Sequence, residues 1–262
     1  MTFARFIRCS ALGLACLGFL GTCLAESMNF ATAIDKAGRQ RMLTQRITKT
    51  YIQIGLGAKT EQSREQLRQA IELFEQQHAE LKSFAPTVAL NEALLSIESL
   101  WEPFKGTALN EPNKIGARRL KKMDERLLEA CESVVYLIQD IADTEYTNLV
   151  NMSGRQRMLS QRLAKFYMAL ASDLGSPSML SRIDRAKNEF MGALVNLKRA
   201  PLNTPGIVEK LEEVEQQWLW LESSLDISKQ TYYPLIVADA SEKILVLMDE
   251  VTAMYTKLSS GS

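Results

Sequence analysis

One histidine, His78, stands in a chain of 262 residues. Most zinc sites, and every mechanism that needs two imidazoles, are thereby excluded. Basic and acidic residues balance at 31 each, so the excess positive charge that draws a protein to nucleic acid is missing. Glycine (13) and proline (7) are scarce and aromatics make up 7%, which rules out collagen-like and low-complexity chains. No stretch between turn signals alternates apolar and polar residues for long, so no sheet is expected. There is no Cys-x-x-Cys-His run for covalent haem. What is present is 46% hydrophobic residues against 24% charged, enough for a substantial core in a helix-rich chain.

The first residues have the build of an export signal. Arg5 and Arg8 precede an apolar run from Cys9 to Leu20, and Cys23 and Ala25 are the small residues expected before a cleavage point. Cleavage after Ala25 is the reading adopted, giving a periplasmic protein. The alternative is an uncleaved membrane anchor, but the run is barely long enough to span and contains Gly13, Gly18 and Gly21. Removing residues 1–25 leaves 29 bases against 31 acids and a single cysteine, Cys131. With no intramolecular disulfide, packing alone must hold the fold, and Cys131 is expected in the core.

The remainder is a duplication. Gly38-Arg39-Gln40-Arg41-Met42-Leu43-Thr44-Gln45-Arg46 recurs as Gly154-Arg155-Gln156-Arg157-Met158-Leu159-Ser160-Gln161-Arg162. The offset of 116 persists: Lys49 and Tyr51 fall on Lys165 and Tyr167, Phe74 on Phe190, and Trp101 within one residue of Trp218. Repeats are read before secondary structure, and here they define two modules, 26–145 and 146–262. Each copy reads as four helices, so the fold class is all-α, two tandem four-helix-bundle modules. In the first copy the helices cover about 31–56, 61–84, 88–105 (with Pro103 kinking or ending the third) and 114–141. The second copy breaks at Gly175-Ser176-Pro177, between Pro201 and Gly206, and near Pro234. No Gly or Pro separates Ile141 from Asn151, which leaves room for one long helix joining the modules.

At about 100° per residue, Ile34, Ala37, Gly38, Arg41, Gln45, Thr48 and Ile52 share one stripe of the first helix. Leu43, Ile47 and Ile54 take the opposite side. The second copy repeats this. A helix apolar on two sides needs two partners, so one face should pack into its own bundle. The other should meet another first helix, from the sister module or from another chain. Gly38 and Gly154 would permit close approach there. A buried guanidinium keeps its charge, so something anionic must answer Arg41 and Arg157: a carboxylate on a neighbouring helix, or a small planar oxyanion held bidentately, with Gln45 or Gln161 supplying an amide donor.

These residues carry a family resemblance. The runs 37–46 and 153–162 resemble the signature of the PilJ-type domain, the N-terminal periplasmic domain of type IV pili methyl-accepting chemotaxis transducers. That domain is similar to the nitrate/nitrite-sensing bundle of NarX-type histidine kinases. The resemblance implies sensing of a small anion, nitrate or nitrite, by Gly38, Arg41, Gly154 and Arg157, with Gln45 and Gln161 beside them. After Leu258 the sequence given continues only as Ser-Ser-Gly-Ser, so a sensor without its own transmembrane output is expected, with a homodimer or a partner receptor as the listener. An exported helical adaptor without a small-molecule ligand is the alternative. No enzyme activity, cofactor, metal or nucleic-acid partner is expected, and contact with a membrane only if the leader stays attached. Glu75-x-x-His78 has di-iron spacing, but such sites need two of these pairs. Trp101, Trp218 and Trp220 are expected in the core, and Arg118, Arg119, Lys121 and Lys122 on a solvated face.

Overall fold

The computed structural model describes residues 28–226 and 232–260. The proposed leader, 1–25, lies outside them. Eight α-helices follow in order among the described residues: α1 (Phe30–Gly55), α2 (Thr60–Phe84), α3 (Val88–Ala108), α4 (Lys114–Ile141), α5 (Glu145–Ala171), α6 (Met179–Lys198), α7 (Pro205–Ser224) and α8 (Pro234–Ser260).

Local chemistry sets the helix starts. The side chains of Asn29, Thr87, Asn113 and Thr204 accept hydrogen bonds from the first turns of α1, α3, α4 and α7, satisfying donors that a helix start leaves open. The continuous α4–α5 helix does not form. Ala142 leaves helical geometry, and Thr144 and Thr147 cap one another reciprocally at the start of α5. Thr147 Oγ1 also donates to Ala142 O at 2.6 Å. A threonine pair thus turns the chain without Gly or Pro. Pro103 does not end α3, which runs on to Ala108. Pro103 is exposed, so water can satisfy the carbonyl that its missing N–H leaves free. Likewise Pro205 and Gly206 lie inside the first turn of α7, where proline costs little.

The two modules repeat each other's core. Phe74 of α2 stacks on Trp101 of α3 with ring centroids 3.9 Å apart, and Phe190 of α6 stacks on Trp218 of α7 at 4.2 Å. Gln40 Nε2 donates to Phe74 O at 3.4 Å, and Gln156 Nε2 to Phe190 O at 2.8 Å. Trp220 departs from expectation and is 66% exposed. It stands two residues from Trp218, and so about 200° around the helix.

The modules fold back on one another through their first helices. α1 and α5 lie side by side and point the same way: Ile52, Gly55 and Leu56 at the end of α1, and Ala171 and Ser172 at the end of α5, line one cavity of about 330 Å³. The second apolar stripe of α1 is therefore covered by the sister module of the same chain. Its outer side is closed by α2 and α4, and almost every residue from Ala37 to Ile54 is buried. α5 is enclosed in the same way by α6 and α8.

Candidate functional site: a charged seam between the modules

Arg41 and Arg157 are both 0% exposed. A side chain added at Gly38 would begin 3.1 Å from Arg41 Nη2 and 3.7 Å from Arg157 Nη2, and one at Gly154 would begin 3.0 Å from Arg157 Nη2. The two glycines therefore make the room into which both guanidinium groups reach. Helical side chains lean toward the N-terminus. Each arginine accordingly reaches back along the seam to the other module: Arg41 to Asn151 and Arg157 to Asp35, which are equivalent positions in the repeat.

Carboxylates answer these charges. Arg41 Nη1 donates to Glu132 Oε2 at 2.8 Å, and Arg157 Nη1 to Asp249 Oδ1 at 2.7 Å. Glu132 also holds Arg155 of the other module, and Asp249 holds Arg39 at 3.2 Å. Two turns away along α4 and α8, Glu242 takes Lys49 (2.6 Å) and Arg46 (2.5 Å), while Glu125 takes Lys165 (2.9 Å) and Arg162 (2.6 Å). Each module's last helix thus holds out two acids that grip the other module's first helix. Lys49 and Lys165 are as buried as the arginines. Within the repeat their recurrence was visible, but not their burial. The acids recur at an offset of 117, because the second copy is one residue longer ahead of α8.

Gln45 and Gln161 are buried beside the arginines. Gln45 Nε2 reaches only its neighbour Thr44 Oγ1 at 3.0 Å, and Gln161 Nε2 donates to Ser241 O at 3.1 Å. Arg41 Nε and Arg157 Nε have no acceptor among the described protein groups. Other motifs do not converge. Glu75 turns to Lys105 (2.5 Å), and His78 faces Glu98 at 3.5 Å. Among the described residues no cluster of His, Cys, Asp or Glu could hold a metal. Cys131 is buried, and burial pushes its thiol up. Arg118, Arg119 and Lys122 are exposed, while Lys121 is partly covered and donates to Leu174 O.

The seam has a pH signature. Burial pushes the carboxyls of Asp35, Glu125, Glu132 and Glu242 up, but their cationic partners outweigh it and hold all four below the usual range. A depressed folded-state pKa gives stability that is complete above the unfolded value and is lost as pH falls through the folded one. The contribution of these four acids to the urea midpoint should therefore be complete above about pH 5 and be lost steeply below about pH 4. A midpoint unchanged at pH 3 would mean the acids contribute nothing.

Two four-helix modules joined along parallel first helices, with a repeated buried arginine on the join, form a tandem helical bundle. A family model agrees: that of the type IV pili methyl-accepting chemotaxis transducer N-terminal domain, PilJ, matches residues 23–122 and again 145–242. The chain belongs to this family, in two tandem copies. No curated protein and no solved structure matches the chain.

Proposed function

We propose that the chain is a periplasmic sensory module that binds a small oxyanion, nitrate or nitrite foremost, in the seam marked by Gly38, Arg41, Gln45, Gly154, Arg157 and Gln161. The observation that carries this is a pair of fully buried guanidinium groups converging on two glycines, each with a free Nε–H. A planar anion supplies the acceptors these donors lack. Export follows from the leader-like first 25 residues, and no helix among the described residues is long and apolar enough to cross a membrane. A ligand of four heavy atoms gains at most about 6 kcal/mol, which sets the dissociation constant no tighter than about 10⁻⁵ M.

Titration calorimetry with sodium nitrate, nitrite and chloride tests the proposal. Heat from nitrate or nitrite should vanish in the Arg41→Lys/Arg157→Lys double variant, which keeps both charges but loses the planar fork. Equal heats in that variant and the wild type would sink the oxyanion.

The carboxylate on each guanidinium favours a second reading, in which the chain is an exported adaptor and the repeated motif only pairs helices. That reading requires no heat from any anion. It also requires Arg41→Ala to change the elution and scattering mass of the protein or its capture of a partner.

A further inference from the structure

The two halves of the seam are not equivalent. Arg157 meets two carboxylates: Asp249 on Nη1 at 2.7 Å, and Asp35 at 2.7 Å from Nη2. Arg41 meets one, Glu132, which it shares with Arg155. At the place equivalent to Asp35 stands a neutral amide, Asn151, whose Oδ1 accepts from Arg41 Nη2 at 2.7 Å. Glu189 also answers Arg155, but from the partly exposed rim and not at Arg41. Duplication within one chain allowed this divergence, which a pair of identical subunits could not show.

Resting on the oxyanion reading above, we propose that one anion seats off the pseudo-two-fold axis, on Arg41 against Asn151, and that Asp35 is a tethered anion filling the matching place on Arg157. The geometry of Arg41 supports this. Nη1 is committed to Glu132, while Nη2 and Nε form the other edge of the fork. On that edge Nη2 holds an amide oxygen and Nε holds nothing. A planar oxyanion fits the whole edge with two parallel hydrogen bonds where Asn151 supplies one. Displaced, Asn151 keeps its bond from Nδ2 to Gln139 Oε1 at 2.8 Å and has a second amide N–H to offer the anion.

The electrostatics run the same way. Burial lowers the proton affinity of both guanidinium groups. At Arg157, Asp35 and Asp249 more than reverse this, so it ends above its ordinary value. At Arg41, Glu132 does not, and Arg155 and Arg157 add to the lowering. The under-compensated cation is the one that gains most from another negative charge.

Exchanging the two side chains provides the test, by nitrate calorimetry on the purified protein with urea unfolding alongside. Wild type should bind one nitrate per chain. Asn151→Asp should weaken binding by more than tenfold while raising the urea midpoint, because Arg41 then carries its own tethered anion. Asp35→Asn should open the Arg157 half and raise the stoichiometry from one to two. If Asn151→Asp does not fold, Asp35→Asn decides alone. Wild-type affinity retained in Asn151→Asp, or binding lost in Asp35→Asn, would overturn the off-axis seat and leave the oxyanion reading standing. No heat in wild type or in either variant would remove that reading and this one together.

Discussion

Replacing Arg157 with alanine should lower the stability of the protein by about 3–5 kcal/mol, the usual effect of removing one partner from a buried ion pair. The size follows from what remains. Asp35 and Asp249 lose the same cation, which lies 2.7 Å from each, and both then lean on Arg39 alone, at the partly exposed rim. Arg41→Ala should cost less, about 1–3 kcal/mol, because Glu132 keeps Arg155 and Asn151 is neutral. Urea unfolding of the two variants side by side reads the difference. Equal losses would show that the carboxylate count around each guanidinium does not govern the seam.

This comparison also separates stability from specificity. A buried salt bridge is weak support for stability in itself, since apolar residues of like volume often serve as well. The clamp here does something an apolar seam could not. Each acid on α4 or α8 grips a cation on the other module's first helix, so sliding α1 along α5 by one turn would strand several charges at once. Register between the modules is thereby fixed, and an anion entering the seam would act on a joint with discrete settings.

Much of this was legible in the sequence, and the limits are physical. The duplicated motif gave two modules, and the two-sided apolar pattern of the first helix demanded a second partner for it. Burial of Arg41 and Arg157 followed from their place on an apolar stripe. Their partners did not follow. Asp35, Glu132 and Asp249 sit at helix positions whose facing depends on how the helices are rotated in the assembled bundle, and periodicity within one helix cannot supply that. Lys49 and Lys165 recur in register, but a lysine stem can lie along apolar neighbours with its head in water, so recurrence did not distinguish burial from a surface position. The α4–α5 break was missed because threonine capping needs no Gly or Pro. The residues Asp143-Thr144-Glu145-Tyr146-Thr147 held that signal, as a cap residue three positions ahead of another hydroxyl.

The second large effect is expected at Lys165. Its Nζ lies 2.8 Å from Asp124 Oδ2 and 2.9 Å from Glu125 Oε1, and Asp124 is fully buried. Burial raises the Asp124 carboxyl above its ordinary value even with the lysine opposing, and Glu125 adds to the rise. Lys165→Ala should therefore cost about 3–5 kcal/mol at pH 7, and the loss should depend on pH in a defined sense. An acid whose folded-state pKa is raised destabilises the fold most above that value, and the penalty fades as pH falls toward the unfolded one. The gap between variant and wild type should narrow steadily from pH 7 toward pH 4. Lys49→Ala supplies the control, because Ser241 stands where Asp124 does and Glu242 keeps Arg46 at 2.5 Å and Gln66 at 3.2 Å. Its loss should be smaller, about 1–3 kcal/mol, and should not narrow in that window. Adding Asp124→Ser to Lys165→Ala, which copies the arrangement of the other module, should recover more than half of the loss. A deficit for Lys165→Ala that is independent of pH, or equal to that of Lys49→Ala, would show that Asp124 is not the charge the lysine is there to hold.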